Sequence, residues 1–166
     1  MSNVFSDLEP RLSSALNSKG WRPTPVQTAT LTELCKGEDR IIVAPTGSGK
    51  TLSAVLPMLH RCLVESWKPL SILYITPLRA LNRDVDRRLT EIAEAVGLRI
   101  GLRHGDTKQS ERSRQVRNPP DILVTTPETF QLMFTGKNLR ELLKSVQAVI
   151  VAVSYTHLTL PTTPYV

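Results

Sequence analysis

Short apolar runs alternate with amphipathic stretches along most of this chain, and this alternation predicts strands joined by helices. Three runs are followed by a turn and then a helical pattern, and a fourth by a loop; they lie at 40–51 (RIIVAPTGSGKT), 71–80 (SILYITPLRA), 121–130 (DILVTTPETF) and, less regularly, 98–107 (LRIGLRHGDT). A last strand is expected at 147–151. Strands that alternate with helices form βαβ units, in which the strands run parallel. We therefore expect an α/β fold with a mostly parallel sheet and helices on both faces.

The first forty residues are predicted to be helical. Leu8, Leu12 and Leu16 follow one another at a spacing of four, and a break at GWRPTP separates them from a second helix that carries Val26, Leu31 and Leu34.

Composition narrows the class of protein. The 166 residues are 40% hydrophobic and 22% charged, which is typical of one globular domain. The N-terminus resembles no signal peptide, and no run of eighteen apolar residues is present, so we expect a cytoplasmic protein without a membrane partner. The net charge of +6 favours a polyanionic partner only weakly.

The stretch APTGSGKT (44–51) predicts a phosphate-binding loop between a strand and a helix. Glycines allow backbone N–H groups to turn inward around phosphate oxygens, a lysine adds positive charge, and a threonine hydroxyl can bind magnesium. The residues expected to bind ATP and Mg²⁺ in this way are Thr46, Gly47, Ser48, Gly49, Lys50 and Thr51. Upstream, Gln27 in GWRPTPVQ could bond an adenine edge through its amide, or could be a surface glutamine after a proline-rich turn.

Thr-Pro follows a predicted strand twice, at Thr76-Pro77 and Thr126-Pro127. Threonine suits the N-cap and proline the first helical position, so free backbone N–H groups would face the sheet edge where ligands of parallel sheets bind. Such groups can bind a sugar-phosphate backbone without reading bases. Arg79 is the best candidate for a charged contact, although nearby arginines could equally form solvated helix faces. His104 could contact phosphate or be a solvated loop residue.

Five stretches together resemble the successive motifs of superfamily 2 DEAD/DEAH-box helicases: GWRPTPVQ, APTGSGKT, TPLRALNRD, HGDTKQSER and TTPETF. The region from Arg103 to Glu128 is similar to the large helicase-related branch in particular. The resemblance implies the first of two RecA-like motor domains, ATP hydrolysis coupled to movement along DNA or RNA, and 3′-to-5′ polarity. By matching position, it implies that Gln27 reads adenine, that Lys50 and Thr51 hold phosphate and magnesium as catalytic residues, and that the strand contacts are Thr76, Arg79, Thr126 and Glu128.

The resemblance also implies an Asp-Glu pair directly after the strand at 147–151, where this chain has Ala152 and Val153. Without those acids, magnesium lacks a carboxylate ligand and the attacking water lacks its orienting group. We therefore expect residues 1–151 to be part of an N-terminal helicase ATP-binding domain that does not hydrolyse ATP usefully.

Residues 152–166 contain no Asp, Glu, Lys or Arg. VSYTHLTLPT resembles a translation of the transposon-end adapter used in sequencing libraries. We expect this tail to be non-native, with a natural degenerate terminus as the alternative.

Two other classes of function remain open from the sequence. A P-loop kinase for a small metabolite would need a substrate lid and has no use for two Thr-Pro helix starts. A non-catalytic nucleotide or nucleic-acid binding module fits the residues at 152–155.

Overall fold

A four-stranded parallel sheet forms the centre of the protein. The computed structural model describes residues 4–77 and 83–153. The strands are β1 (Ile72–Ile75), β2 (Ile100–Arg103), β3 (Ile122–Thr125) and β4 (Ala148–Val151). Their order in the sheet is β2-β3-β1-β4, and all three neighbouring pairs are parallel. The predicted α/β class and four of the five expected strands are confirmed.

Seven α-helices and one short 3-10 helix (Val4–Asp7) accompany the strands in the described part of the chain. Three of the helices begin with proline at their first position, where the missing N–H group costs nothing. None of the described helices is both long enough and apolar enough to cross a membrane. The helices are α1 (Pro10–Ser18), α2 (Pro25–Cys35), α3 (Lys50–Val64), α4 (Arg83–Ala95), α5 (Gln109–Arg117), α6 (Pro127–Met133) and α7 (Lys137–Leu143).

Each face of the sheet packs against its own set of helices. Successive strand residues point to opposite faces, so Ile72 and Tyr74 join one core cluster while Leu73 and Ile75 join another. The first cluster includes buried residues of α1 to α4, and the second includes Met133 of α6 and the partly buried Leu139 and Leu143 of α7. The predicted covering of both faces is therefore confirmed. The expected N-terminal helices are present as α1 and α2, and they bury Leu12, Leu16, Leu31 and Leu34.

The strand predicted at 40–43 does not form, and that prediction is wrong for this structure. Residues 41–45 have no regular secondary structure. Ile41 and Val43 are 91% and 90% exposed, and only Ile42 packs against the core. A strand is held by ladder hydrogen bonds to a neighbour, and none of the four described strands pairs with this segment. Apolar, β-branched residues alone did not produce a strand without a pairing partner.

Candidate functional site

The predicted phosphate loop precedes α3, whose first residue is Lys50. Gly47 and Gly49 have φ angles of +78° and +93°, in the left-handed region that favours glycine. The Ser48 Oγ atom is buried and has no hydrogen-bond partner among the described residues. A buried hydroxyl without a partner is uncommon, and a phosphate oxygen would satisfy it. The loop geometry and this hydroxyl fit a bound phosphate group.

The Lys50 ammonium group bonds to its own loop. Its Nζ atom donates to the carbonyl oxygen of Pro45 at 2.7 Å and also to that of Ala44. Nucleotide phosphates would compete with these carbonyls for the ammonium group. The Lys50 ammonium group, which is predicted to bind phosphate, therefore lies against the loop, where uncharged carbonyl oxygens accept its hydrogen bonds.

Gln27 is only 3% exposed, and both the oxygen and the nitrogen of its side-chain amide form hydrogen bonds within the protein. Its Oε1 atom accepts from the Thr24 backbone N–H group at 2.9 Å, while Thr24 Oγ1 accepts from the Gln27 N–H group, which completes a capping box for α2. Its Nε2 atom donates to the Gly49 carbonyl oxygen at 3.3 Å. Gln27 thus joins α2 to the phosphate loop, and adenine reading by this side chain stays a prediction that requires these bonds to rearrange.

Tyr74 connects the phosphate loop to the end of β1, and sequence reasoning did not identify it. Burial raises the pKa of the Tyr74 hydroxyl, and the neighbouring hydroxyl groups of Thr51 and Thr76 partly offset this effect. Thr76 Oγ1 has no partner with hydrogen-bond geometry among the described residues, so its interaction with Tyr74 is one of proximity. Tyr74 therefore lies next to both Thr51, which is expected to bind magnesium, and Thr76, the first predicted strand contact.

The strands end level with one another at their carboxyl ends. In the sheet register, Thr125 lies opposite both Arg103 and Ile75, and Ile75 lies opposite Val151. The next residues are therefore neighbours along one edge, in the order His104, Thr126, Thr76 and Ala152. Adjacent strands are about 4.8 Å apart, so this row spans roughly three such spacings. The structure brings three of the predicted nucleic-acid residues together at this edge.

The two threonines of this row are buried. Thr76 and Thr126 are 1% and 4% exposed, and Thr126 Oγ1 accepts from the Thr129 N–H group as the N-cap of α6. The predicted capping role of Thr126 is confirmed, and its hydroxyl is directed to the helix rather than to solvent. Glu128 is exposed in the first turn of α6. Arg79 and the helix start predicted after Pro77 lie outside the described residues.

A buried arginine supports the loop that follows β2. Arg103 is 7% exposed, and its Nη1 atom donates to the Arg112 carbonyl oxygen and to Gln115 Oε1, both at 3.4 Å. Burial, and then the charge of Arg112, lower the pKa of Arg103 from its ordinary value. Sequence reasoning left Arg103, like the other arginines around HGDT, as either a strand contact or a solvated residue, and the structure buries it instead.

Metal ligands are sparse at this edge. Within residues 4–77 and 83–153, no group of three or more His, Cys, Asp or Glu side chains could hold a metal ion. Thr51 offers one hydroxyl, and Ala152, which donates its N–H group to the Ile75 carbonyl oxygen at 2.8 Å, offers a methyl group where an acid is expected. These residues fit nucleotide phosphates but supply no carboxylate for magnesium.

Comparison with known proteins identifies one family. Residues 24–152 match the DEAD/DEAH box helicase family. The chain is 43% identical over 151 residues to the Lhr helicase/uracil glycosylase of Escherichia coli, an alignment that covers 78% of this chain and 10% of that protein. It is 36% identical over 165 residues to the ATP-dependent helicase Lhr-Core of Methanocaldococcus jannaschii, covering 89% and 20%. The chain thus spans about a tenth to a fifth of the length of these curated relatives.

A solved structure of similar fold is that of the Mycobacterium smegmatis helicase Lhr bound to ssDNA and AMP-PNP. It superposes with a TM-score of 0.74 at 35% identity and covers 90% of this chain and 21% of that one. The fold is therefore shared with a helicase that was solved with a single strand and an ATP analogue.

Proposed function

Because the chain belongs to the DEAD/DEAH box helicase family, we propose that it supplies the nucleotide-binding part of a motor that couples ATP hydrolysis to movement along a nucleic-acid strand. In this proposal, residues 1–151 are part of the first RecA-like domain, and a second RecA-like domain completes the motor in the intact protein. The observation that carries the proposal is the shared edge. The phosphate loop reaches Tyr74 through Thr51, and Tyr74 lies beside the row formed by His104, Thr126 and Thr76.

The nucleotide would bind with its phosphates against the loop at 44–49. Lys50 would exchange the carbonyl groups of Ala44 and Pro45 for phosphate oxygens, and the N-terminal end of α3 would add its positive dipole end. Magnesium, when bound, neutralises charge that develops on the phosphates. Thr51 is the residue of this chain that would bind it.

Hydrolysis by this chain is expected to stay at background. The end of β4 carries Ala152 and Val153 rather than acids, so no carboxylate there can hold magnesium or orient water. An activity assay with Mg–ATP and single strands tests this directly. Vigorous strand-stimulated turnover by the 166-residue chain would contradict it.

Single-strand binding is the direct test of the proposed nucleic-acid edge. We expect weak binding to DNA or RNA with little preference for sequence, because the predicted contacts are cationic and directed to the sugar-phosphate backbone rather than to base edges. Binding should weaken steeply with salt, since each phosphate contact displaces counterions. Fluorescence anisotropy of labelled dT and mixed-sequence oligonucleotides at four salt concentrations measures both properties. Salt-insensitive binding, or strong preference for one sequence, would contradict the proposal.

A parallel measurement tests the nucleotide site. Lys50→Ala should abolish binding of a fluorescent ATP analogue, because the loop then loses its only lysine. Lys68→Ala removes a positive charge in the segment between α3 and β1 and serves as the charge-matched control. Equal binding by Lys50→Ala and the wild type would refute the assignment of the phosphate site.

We propose further that residues 152–166 derive from adapter sequence rather than from the gene. Support comes from the likeness of VSYTHLTLPT to the translated adapter and from the absence of charged residues in this stretch. Amplifying the locus from source DNA and reading it without transposon-based library preparation tests the proposal. We expect an Asp-Glu motif after Val151; a genomic read that encodes SYTHLTLPTTPYV and then stops would refute it.

A further inference from the structure

The loop at 104–107 is fastened by one arginine. Arg112 donates from Nε to the Thr107 carbonyl oxygen at 2.9 Å, and from Nη2 to the carbonyl oxygens of His104 and Gly105 at 3.1 and 2.8 Å. A planar guanidinium group can satisfy several acceptors in one fixed arrangement, which an ammonium group cannot do. Three of the four residues of the loop are therefore tied to a single side chain of α5.

Bonds within the loop reinforce this arrangement. Thr107 Oγ1 accepts from the His104 backbone N–H group at 2.8 Å, and the Asp106 N–H group donates to His104 Nδ1 at 3.2 Å. Because Nδ1 is an acceptor, the hydrogen of a neutral His104 imidazole lies on Nε2. The loop thus holds the ring in one tautomer, with an N–H donor at the ring position away from its own backbone.

Helix α5 is in turn fixed to the sheet. Gln115 Nε2 donates to the Leu102 carbonyl oxygen at 3.0 Å, and Arg103 donates to the Arg112 carbonyl oxygen. Gly101 lets α5 and its following turn approach β2, since a Cβ atom there would lie 2.7 Å from Pro120 Cγ. Helix α5, from which Arg112 reaches the loop, is therefore held in place against the sheet.

We propose that Arg112 is a positioning residue for strand binding: it orders the loop at 104–107 so that His104 can donate to the nucleic-acid backbone beside Thr126. This inference rests on the proposed function, because it assigns the loop to the same edge. Arg112 itself does not contact the strand in this proposal, in which its Nε and Nη2 donors stay bonded to the three carbonyl groups. Because the loop is ordered before binding, less conformational entropy is lost when the strand binds, and this strengthens binding.

Helix α5 offers a charge-matched control. Arg114 lies two residues further along the same helix, has a side chain 71% exposed and pairs with Glu111, with 2.9 Å between Arg114 Nε and Glu111 Oε2. Arg112→Gln and Arg114→Gln each remove one positive charge, but only the first releases the loop. Arg112→Lys keeps the charge and loses the planar fork.

The test measures binding of a labelled dT oligonucleotide to the 166-residue chain and these variants at several salt concentrations. We expect Arg112→Gln to weaken binding about fivefold more than Arg114→Gln, the size of effect of one or two lost hydrogen bonds. Arg112→Lys should resemble Arg112→Gln. The slope of log K against log salt should not fall for Arg112→Gln, whereas loss of a direct phosphate contact would lower it by roughly 0.7. His104→Ala should weaken the wild type but have little further effect in the Arg112→Gln background.

Each outcome is decisive. Equal weakening by Arg112→Gln and Arg114→Gln, full rescue by Arg112→Lys, or additive effects of His104→Ala would overturn the inference while leaving the proposed function intact. Failure of the wild type to bind any single strand would refute the proposed function and the inference with it. If Arg112→Gln does not fold, amide hydrogen exchange of the Arg112→Lys variant tests whether Arg112 orders the loop. The His104 amide should exchange faster while the amides of α5 stay protected, and unchanged exchange of the loop would overturn the inference.

Discussion

Gly49 is the position where the phosphate loop, α3 and Gln27 meet, and its substitution by alanine should be unusually destabilising. Its φ angle is +93°, and an added Cβ atom would lie 2.7 Å from Gln27 Nε2 and 3.0 Å from Thr24 Oγ1. A left-handed conformation costs an alanine roughly 1–2 kcal/mol. Gln27 is 3% exposed, so its amide cannot turn into solvent, and displacing it breaks a hydrogen bond worth about 1 kcal/mol and forces a strained rotamer at roughly another 1 kcal/mol.

Gly97→Ala separates the steric effect from the conformational one. Gly97 has a φ angle of +81°, and an added Cβ atom there would meet nothing within 4 Å. Both substitutions therefore share the backbone strain and the gain from a stiffer unfolded chain. The difference between them should be about 2 kcal/mol, or about 6 °C in Tm for a domain of this size.

Urea unfolding followed by circular dichroism and by fluorescence of Trp21 and Trp67 measures the free energies of unfolding, and coincident curves establish two-state behaviour. Gln27→Ala should cost less in the Gly49→Ala background than in the wild type, because it removes the group that the new methyl group contacts. Equal destabilisation by Gly49→Ala and Gly97→Ala, together with additive effects of Gln27→Ala, would refute the close approach of Gln27 to the loop.

Two further predictions concern titratable groups outside the ligand edge. His60 Nδ1 accepts from the Glu9 N–H group at 2.9 Å; burial lowers the pKa of His60, Arg61 acts in the same direction, and Glu9 and Glu65 oppose it. Because the unfolded state then binds the proton more tightly than the folded state, His60 lowers the free energy of unfolding as pH falls through about 6.5 toward the lower pKa of the folded state. His60→Gln should therefore flatten the decline in urea midpoint between pH 7.5 and 5. An unchanged decline would contradict this. Burial raises the pKa of the Cys35 thiol to about 11, so only about a thousandth of it is ionised at pH 8. Alkylation of Cys35 in the native chain should therefore be far slower than after unfolding in urea. Equal rates in the two states would show that the thiol is accessible and would contradict this.

Much of the fold could be predicted from apolar periodicity because four of the strands form ladders with one another. The segment at 40–43 is also rich in β-branched residues, yet it is unpaired and largely exposed, since pairing depends on a neighbouring strand that local pattern does not specify. At the site, the glycine turn before α3 and the N-cap of α6 followed from turn chemistry that acts over a few residues. Contacts between distant residues did not, as the bonds from Gln27 to Gly49 and from Arg112 to the loop after β2 illustrate. The capping box of Thr24 and Gln27 was readable from its spacing alone.

The burial of the predicted strand contacts bears on what kind of ligand the edge can serve. Thr76 and Thr126 lie in adjacent positions and are 1% and 4% exposed, and the Thr76 N–H group already donates to the Thr125 carbonyl oxygen, so neither threonine presents a base-reading group at the surface. His104, whose Nδ1 atom accepts from the Asp106 N–H group, would offer one imidazole donor there, which is enough for a phosphate oxygen but not for a two-point contact to a base edge. An edge built in this way suits a motor that must bind every step of a strand equally, and a site selective for one sequence would need exposed amide or guanidinium groups in the same row.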